Sequence, residues 1–164
     1  ITPFAVPHDA RDNNGYFVEL IHPEEGGDIF SPAPADPRPT FCLITDAGRF
    51  TDEMIPFVQR ARHLIIEANF DRTMLENGPY PQFLQQRISN GRGHMDNRLT
   101  AEALRRHLTP ITRRIWLCHL SEENNRPELA RKTVQSAIDQ LPFPDKPQLE
   151  VLRRRTPSGL IRLD

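Results

Sequence analysis

His119 ends the apolar run Ile115-Trp116-Leu117-Cys118 and is followed by the polar stretch Leu120-Ser121-Glu122-Glu123-Asn124-Asn125. An imidazole at the lip of a sheet can offer a nitrogen to a metal ion. Two other strand-like runs end in residues of the same chemistry: His8 after Val6-Pro7, and Asp46 after Leu43-Ile44-Thr45. Two imidazoles and a carboxylate at strand tips suit metal-assisted hydrolysis. There, ions about 3.5–4 Å apart acidify a water and polarise a phosphoryl or carbonyl group. A carboxylate suits the bridging position, because its two oxygens can each meet one cation. Each residue also has a plainer role: Asp46 as a turn residue before Gly48, and His8 and His119 as surface hydrogen-bonding groups. Asp9 either orients His8 or begins the next turn.

The elements that must carry these tips follow from apolar patterning. Residues 1–7 and 16–22 read as strands around the turn Asp12-Asn13-Asn14-Gly15. Residues 40–45 form a short continuous apolar run, the mark of a strand covered on both faces. Thr51 is placed to cap a helix over 52–61, and His63–Ala68 reads as another buried strand. Helices are expected over 71–77, 80–89 and 99–108, then a strand at 113–118. Pro127 suits the first turn of a helix reaching about 140, and the tail reads as strands at 148–154 and 159–163. Strands alternating with helices predict an α/β domain, with chemistry gathered at one set of strand ends.

The 164 residues suffice for one domain or a large piece of one. The segment 23–39 is rich in Pro, Gly and acids and reads as a surface loop insertion. A net charge of −1 excludes a global basic field, so any polyanion must be held by local clusters: Arg113-Arg114, Arg126 with Arg131-Lys132, or Arg153-Arg154-Arg155. These clusters are also compatible with ordinary solvated surface. Cys42 and Cys118 lie in apolar runs and read as buried free thiols. With no signal peptide and no run of ~18 apolar residues, a cytoplasmic setting without membrane contact is expected. The opening Ile1-Thr2-Pro3-Phe4 reads as the middle of a strand, as a fragment or cleaved product would begin.

Seven phrases occur in order along the chain: Val6-Pro7-His8-Asp9-Ala10, Ile44-Thr45-Asp46-Ala47-Gly48, Glu67-Ala68-Asn69, Asn77-Gly78-Pro79-Tyr80-Pro81, Gln86-Arg87-Ile88, Gly93-His94-x-x-Asn97 and His119-Leu120-Ser121-x-x-Asn124-Asn125. Together they resemble the WalJ/YycJ-like branch of the metallo-β-lactamase-fold hydrolases, from residue 1 to about residue 140. The resemblance implies the C-terminal part of an αββα four-layer sandwich with a di-metal centre between its sheets. His8 matches the family's third-motif histidine, Asp46 the bridging aspartate, and His119 the last ligand histidine. His94 matches a non-ligand histidine beside the scissile group. Asn69 and Asn97 sit in matching phrases without an implied role.

The departures are equally informative. The family's His-x-His-x-Asp-His segment, which supplies most other ligands, is absent, and no two of the six histidines have His-x-His spacing. Phe70 stands where the branch usually has His, and Asp96 where Ser is usual. The resemblance therefore implies a metal-dependent phosphodiesterase or nuclease whose intact form uses a hydroxide activated by two divalent ions, Zn or Mn, while this chain alone holds metal weakly or not at all. Its implied partners are a nucleic acid or other phosphodiester and the N-terminal part of the fold, with a second copy of the chain as a further candidate. Two alternatives stay open. One is a truncated or diverged non-catalytic domain; the other is a small-molecule phosphodiesterase or esterase on the same fold.

Overall fold

A computed structural model describes residues 1–20 and 39–163. Most of the expected loop insertion at 23–39 lies outside the described residues. Among the described residues six strands form one sheet in chain order: β1 (Thr2–Ala5), β2 (Asn14–Glu19), β3 (Thr40–Ile44), β4 (His63–Glu67), β5 (Arg114–Cys118) and β6 (Gln148–Val151). β1, β2 and β3 are antiparallel neighbours, whereas β3 through β6 run parallel. Parallel neighbours need crossovers. These contain α1 (Ile55–Arg60) between β3 and β4, then α2 (Arg72–Asn77), α3 (Gln82–Ser89) and α4 (Asn97–His107) before β5, and α5 (Pro127–Asp139) before β6.

Pleating sends alternate residues to opposite faces. Phe17, Cys42, Leu64, Ile115 and Leu149 share one register row, and all belong to the main core. Val58 of α1, Leu104 of α4, and Val134 and Ile138 of α5 complete that core. These helices therefore cover one face. The next row, Tyr16, Leu43, Ile65 and Trp116, points the other way. Trp116 is buried there, but Tyr16 is exposed and Leu43 and Ile65 are only half-buried. The sheet thus has one helix-covered face and one apolar face with lighter cover.

Several expected boundaries move for identifiable reasons. Asn14-Gly15 is not the turn but the start of β2, paired with Ala5 and Phe4. A Cβ on Gly15 would lie 2.4 Å from the Phe4 ring, so glycine leaves room for that ring. The positive φ of the preceding turn falls on Asp12 instead. Thr51 makes no side-chain cap: a 3-10 turn at Asp52–Met54 precedes α1, and the Thr51 hydroxyl is buried without a partner. Asp96, not Leu99, marks the entry to α4. Its carboxylate accepts from the Arg98 and Leu99 N–H groups at 2.9 and 2.8 Å, a standard N-cap arrangement. Residues 159–163 are not a strand; they run past the sheet with Arg114 Nη1 donating to the Arg162 carbonyl.

Candidate metal centre and cleft

The parallel strands β3, β4 and β5 end side by side, and the residues at or just after their ends are Asp46, Glu67 and His119. Glu67 is fully buried. Its Oε2 accepts from His119 Nδ1 at 2.6 Å, His94 Nδ1 at 3.0 Å and the Asp46 N–H at 3.0 Å, while Oε1 accepts from the Met95 N–H at 2.9 Å. Asp46 Oδ1 lies 3.6 Å from His119 Nδ1. Potential ligand atoms of Asp46, Glu67, His94 and His119 all lie within 4.8 Å of one another. Two carboxylates and two imidazoles are a donor set that suits zinc or manganese.

His94 reaches this group because residues 94–97 run alongside the exit of β4. The Asn69 N–H donates to the Met95 carbonyl at 2.9 Å, and the Asn97 N–H to the Phe70 carbonyl at 2.9 Å. Two glycines permit the approach. A Cβ on Gly48 would meet Gly91 and Arg92 backbone atoms at 2.4–2.5 Å, and one on Gly93 would meet the Ile88 carbonyl oxygen at 2.2 Å. Asp46 and His119 both adopt the left-handed backbone region, with φ of 54° and 55°. Non-glycine residues seldom sit there, and such outliers gather at functional sites.

His8 stands beside the group rather than inside it. Its Nε2 is 3.9 Å from Asp46 Oδ1, and its ring centroid is 5.3 Å from that of His94. Its Nδ1 accepts from the Ala10 N–H at 3.0 Å. In the neutral ring this puts the proton on Nε2, so the nitrogen facing Asp46 is a donor and not a lone pair. Asp9 is held chiefly by Arg87, at 2.7 Å, and lies 3.3 Å from His8 Nδ1. The hydrogen bond from Arg87 holds the Asp9 carboxyl below the usual carboxylate range.

Glu67 is the site residue that patterning missed. It stands in the phrase Glu67-Ala68-Asn69 without an implied role, and its local signal is an acid closing the apolar run Leu64-Ile65-Ile66, a poor place for a charge without donors around it. Burial alone would raise its pKa; the hydrogen bonds from His119 and His94 outweigh that and leave it below the ordinary value. The His119 bond to Glu67 likewise raises the pKa of His119. Phe70 and Asp96 also have structural roles. Phe70 is buried, and Asp96, besides capping α4, binds Arg72 Nη2 at 2.6 Å.

From the His94–His119 edge a cleft of about 1320 Å³ extends between the loop after β5 and the residues after β6. Arg126, Arg131, Arg153 and Arg154 line it, together with Glu122, Glu123 and Glu128. Arg126 Nη1 and Arg131 Nη2 donate to backbone carbonyls, which leave the guanidinium charge uncancelled. Of the aromatic residues near the site in sequence, Tyr80 lines the cleft, Phe83 projects into solvent and Phe70 is buried.

No family model matches the chain. Among curated proteins it is similar to the exodeoxyribonuclease WalJ of Streptococcus pneumoniae, 43% identical over 101 residues. It is also similar to the exodeoxyribonuclease YycJ of Bacillus anthracis, 38% identical over 101 residues. Each match takes in 62% of this chain, which spans 38% of the length of either relative. Among solved structures, the metallo-β-lactamase fold protein YhfI from Bacillus subtilis aligns with a TM-score of 0.47 and 18% identity, over 93% of this chain and 50% of that one. Over the matched stretch this chain is similar in sequence to WalJ and YycJ, and the described residues form a mixed α/β arrangement of one sheet with helices.

Proposed function

We propose that the chain is the C-terminal portion of a metal-dependent phosphodiester hydrolase of the metallo-β-lactamase fold that acts on nucleic acid. The observation that carries this reading is the convergence of Asp46, Glu67, His94 and His119 at the carboxyl ends of three adjacent parallel strands. The relatives bear the name exodeoxyribonuclease, which favours DNA as the substrate.

The donors divide by what they already bind. The acceptor positions of Glu67 are taken up by two imidazoles and two backbone N–H groups, so Glu67 orients rather than ligates. It turns His119 so that Nε2 is the free nitrogen. His119 Nε2 and an oxygen of Asp46 would then hold divalent metal. His8 would join them after its ring turns over and releases the Ala10 N–H. Bound ions there would supply an acidified water and neutralise charge on the phosphate. His94, held through Nδ1 on Glu67, presents Nε2 to the cleft, where its protonated form can donate to a phosphoryl or leaving oxygen. Arg126, Arg131 and Arg153 line the same cleft and could meet phosphates there, whereas Arg154 lies 3.6 Å from Glu122 Oε1.

The part of the site that these residues leave open is expected upstream, in a His-x-His-x-Asp-His segment. The lightly covered sheet face of Tyr16, Leu43 and Ile65 supports association with that other half of the fold; a second copy of the chain is the competing occupant. Among the described residues no helix is long and apolar enough to cross a membrane, and both cysteines are free thiols, in keeping with a cytoplasmic site of action.

The test is metal-dependent cleavage by the intact protein of DNA, RNA and a chromogenic phosphodiester side by side. Faster turnover of DNA supports the nuclease reading, and turnover of the small ester alone favours a small-molecule phosphodiesterase. No metal-dependent cleavage of any of them leaves a non-catalytic domain. His119→Ala in the active protein should abolish turnover; an unchanged rate refutes its role.

A further inference from the structure

We propose that Asn69 is a positioning residue for His119, fixed in place by a buried pair of carboxamides from Asn97 and Asn125. The inference rests on reading His119 as a metal ligand, but its geometric half stands without that reading. His119 needs help to hold its conformation, because φ of 55° is a sparsely populated region for a side-chain-bearing residue. The Asn69 side chain is largely buried, and its Nδ2 donates to the His119 carbonyl at 2.7 Å, across a gap of 50 residues in sequence. The same residue's backbone carbonyl accepts from the Ser121 N–H at 2.7 Å. One residue after β4 therefore grips the chain immediately after β5 on both sides of Leu120.

Asn69 is itself held from behind. Asn97 Nδ2 donates to Asn125 Oδ1 at 3.0 Å, and Asn125 Nδ2 donates back to Asn97 Oδ1 at 2.9 Å. Asn125 Nδ2 is also 2.9 Å from the Ala68 carbonyl and 3.0 Å from that of Asn69, so its two hydrogens are shared among three acceptors. Both carboxamides are almost completely buried. The pair joins the first turn of α4, the exit of β4 and the start of α5. Elements far apart in sequence thereby set one backbone angle, and that angle aims His119 Nδ1 at Glu67 and leaves Nε2 toward the cleft.

Asn69→Ala deletes a single side-chain hydrogen bond and leaves the Asn69 backbone contacts in place. Asn69→Asp keeps the shape while removing the donor, and serves if the alanine variant folds poorly. Two measurements on the whole chain and each variant separate positioning from a merely structural role. Backbone NMR reports the φ of His119, and Co²⁺ titration with its visible absorption reports the affinity and geometry of the site. The expected result is that His119 leaves the left-handed region and Co²⁺ affinity falls about tenfold or more, with an altered absorption spectrum. Unchanged His119 geometry in a folded variant overturns the inference, whatever the melting temperature does. A moved His119 with unchanged affinity and spectrum overturns the claim that the clamp acts on the metal site. A moved His119 in a chain that binds no Co²⁺ at these residues supports the positioning role and counts against the metal reading instead.

Discussion

Replacing Glu67 by Gln keeps the side-chain volume and removes the charge on which His119, His94 and the Asp46 and Met95 N–H groups converge. A glutamine oxygen can still serve two of those donors. Its NH₂ must face the others, donor against donor. Each hydrogen bond to a buried charged group contributes about 1.5–3 kcal/mol net, and breaking a buried charge pair by removing one partner costs about 3–5 kcal/mol. Glu67 has no solvent access to soften the loss. Glu67→Gln should therefore destabilise the metal-free chain by about 3–5 kcal/mol, which for a domain of this size lowers Tm by roughly 10 °C. The assay is urea unfolding followed by far-UV circular dichroism, with the change read from the midpoint at constant slope. The gap between wild type and variant should depend on pH. His119 has a raised folded pKa, so its pairing contributes fully below its ordinary value of 6.5 and is lost as pH rises through the folded value. Glu67 has a lowered folded pKa, so its contribution is present above 4.5 and is lost as pH falls through the folded value. The gap should be widest between these ordinary values. A loss below about 1 kcal/mol at all pH values would refute the convergence of donors on Glu67.

Two further outcomes follow from neighbouring groups. Asp96→Ala removes the α4 cap and the partner of Arg72, and should cost about 1–3 kcal/mol in the same urea assay; a loss under about 0.5 kcal/mol would contradict the cap. Burial pushes the Cys42 thiol up to about 12, and burial, then Glu67, does the same for Cys118. Cys42, fully buried, should not react with a thiol-specific disulfide reagent at pH 8 in the folded chain, and half-buried Cys118 at the cleft should react slowly; both should react in urea, and rapid labelling of Cys42 in the folded chain would show that the sheet opens there.

The strand cores and the α4 and α5 stripes were legible because apolar runs and helical spacing act locally. The runs 40–45, 63–68 and 113–118 became β3, β4 and β5, with His119 and Asp46 at their ends as expected. Less visible were features set by contacts between distant segments. Gly15 reads as a turn residue until the Phe4 ring is seen to need its missing Cβ. Thr51 has the type of a cap, but a 3-10 turn takes its place. Asp96 looks like a departure from a family pattern, and only the fold shows it between α4 and Arg72. The same holds for Glu67, since no local spacing reveals that donors from three other segments close on one carboxylate. His8 shows the reverse: its type and place suit a ligand, but the Ala10 N–H turns the ring's lone pair away from Asp46.

The central claim is that the carboxyl ends of β3, β4 and β5 form part of a divalent metal site. Titrating the chain with Mn²⁺ while recording amide and imidazole NMR signals tests it directly, because paramagnetic broadening locates even a weakly bound ion. The account predicts that signals of Asp46, His94 and His119 broaden first and together, that binding is weak, and that His119→Ala removes the effect. Broadening that begins elsewhere, two tightly held ions per chain, or broadening at Asp46 and His94 that His119→Ala leaves intact would each contradict it.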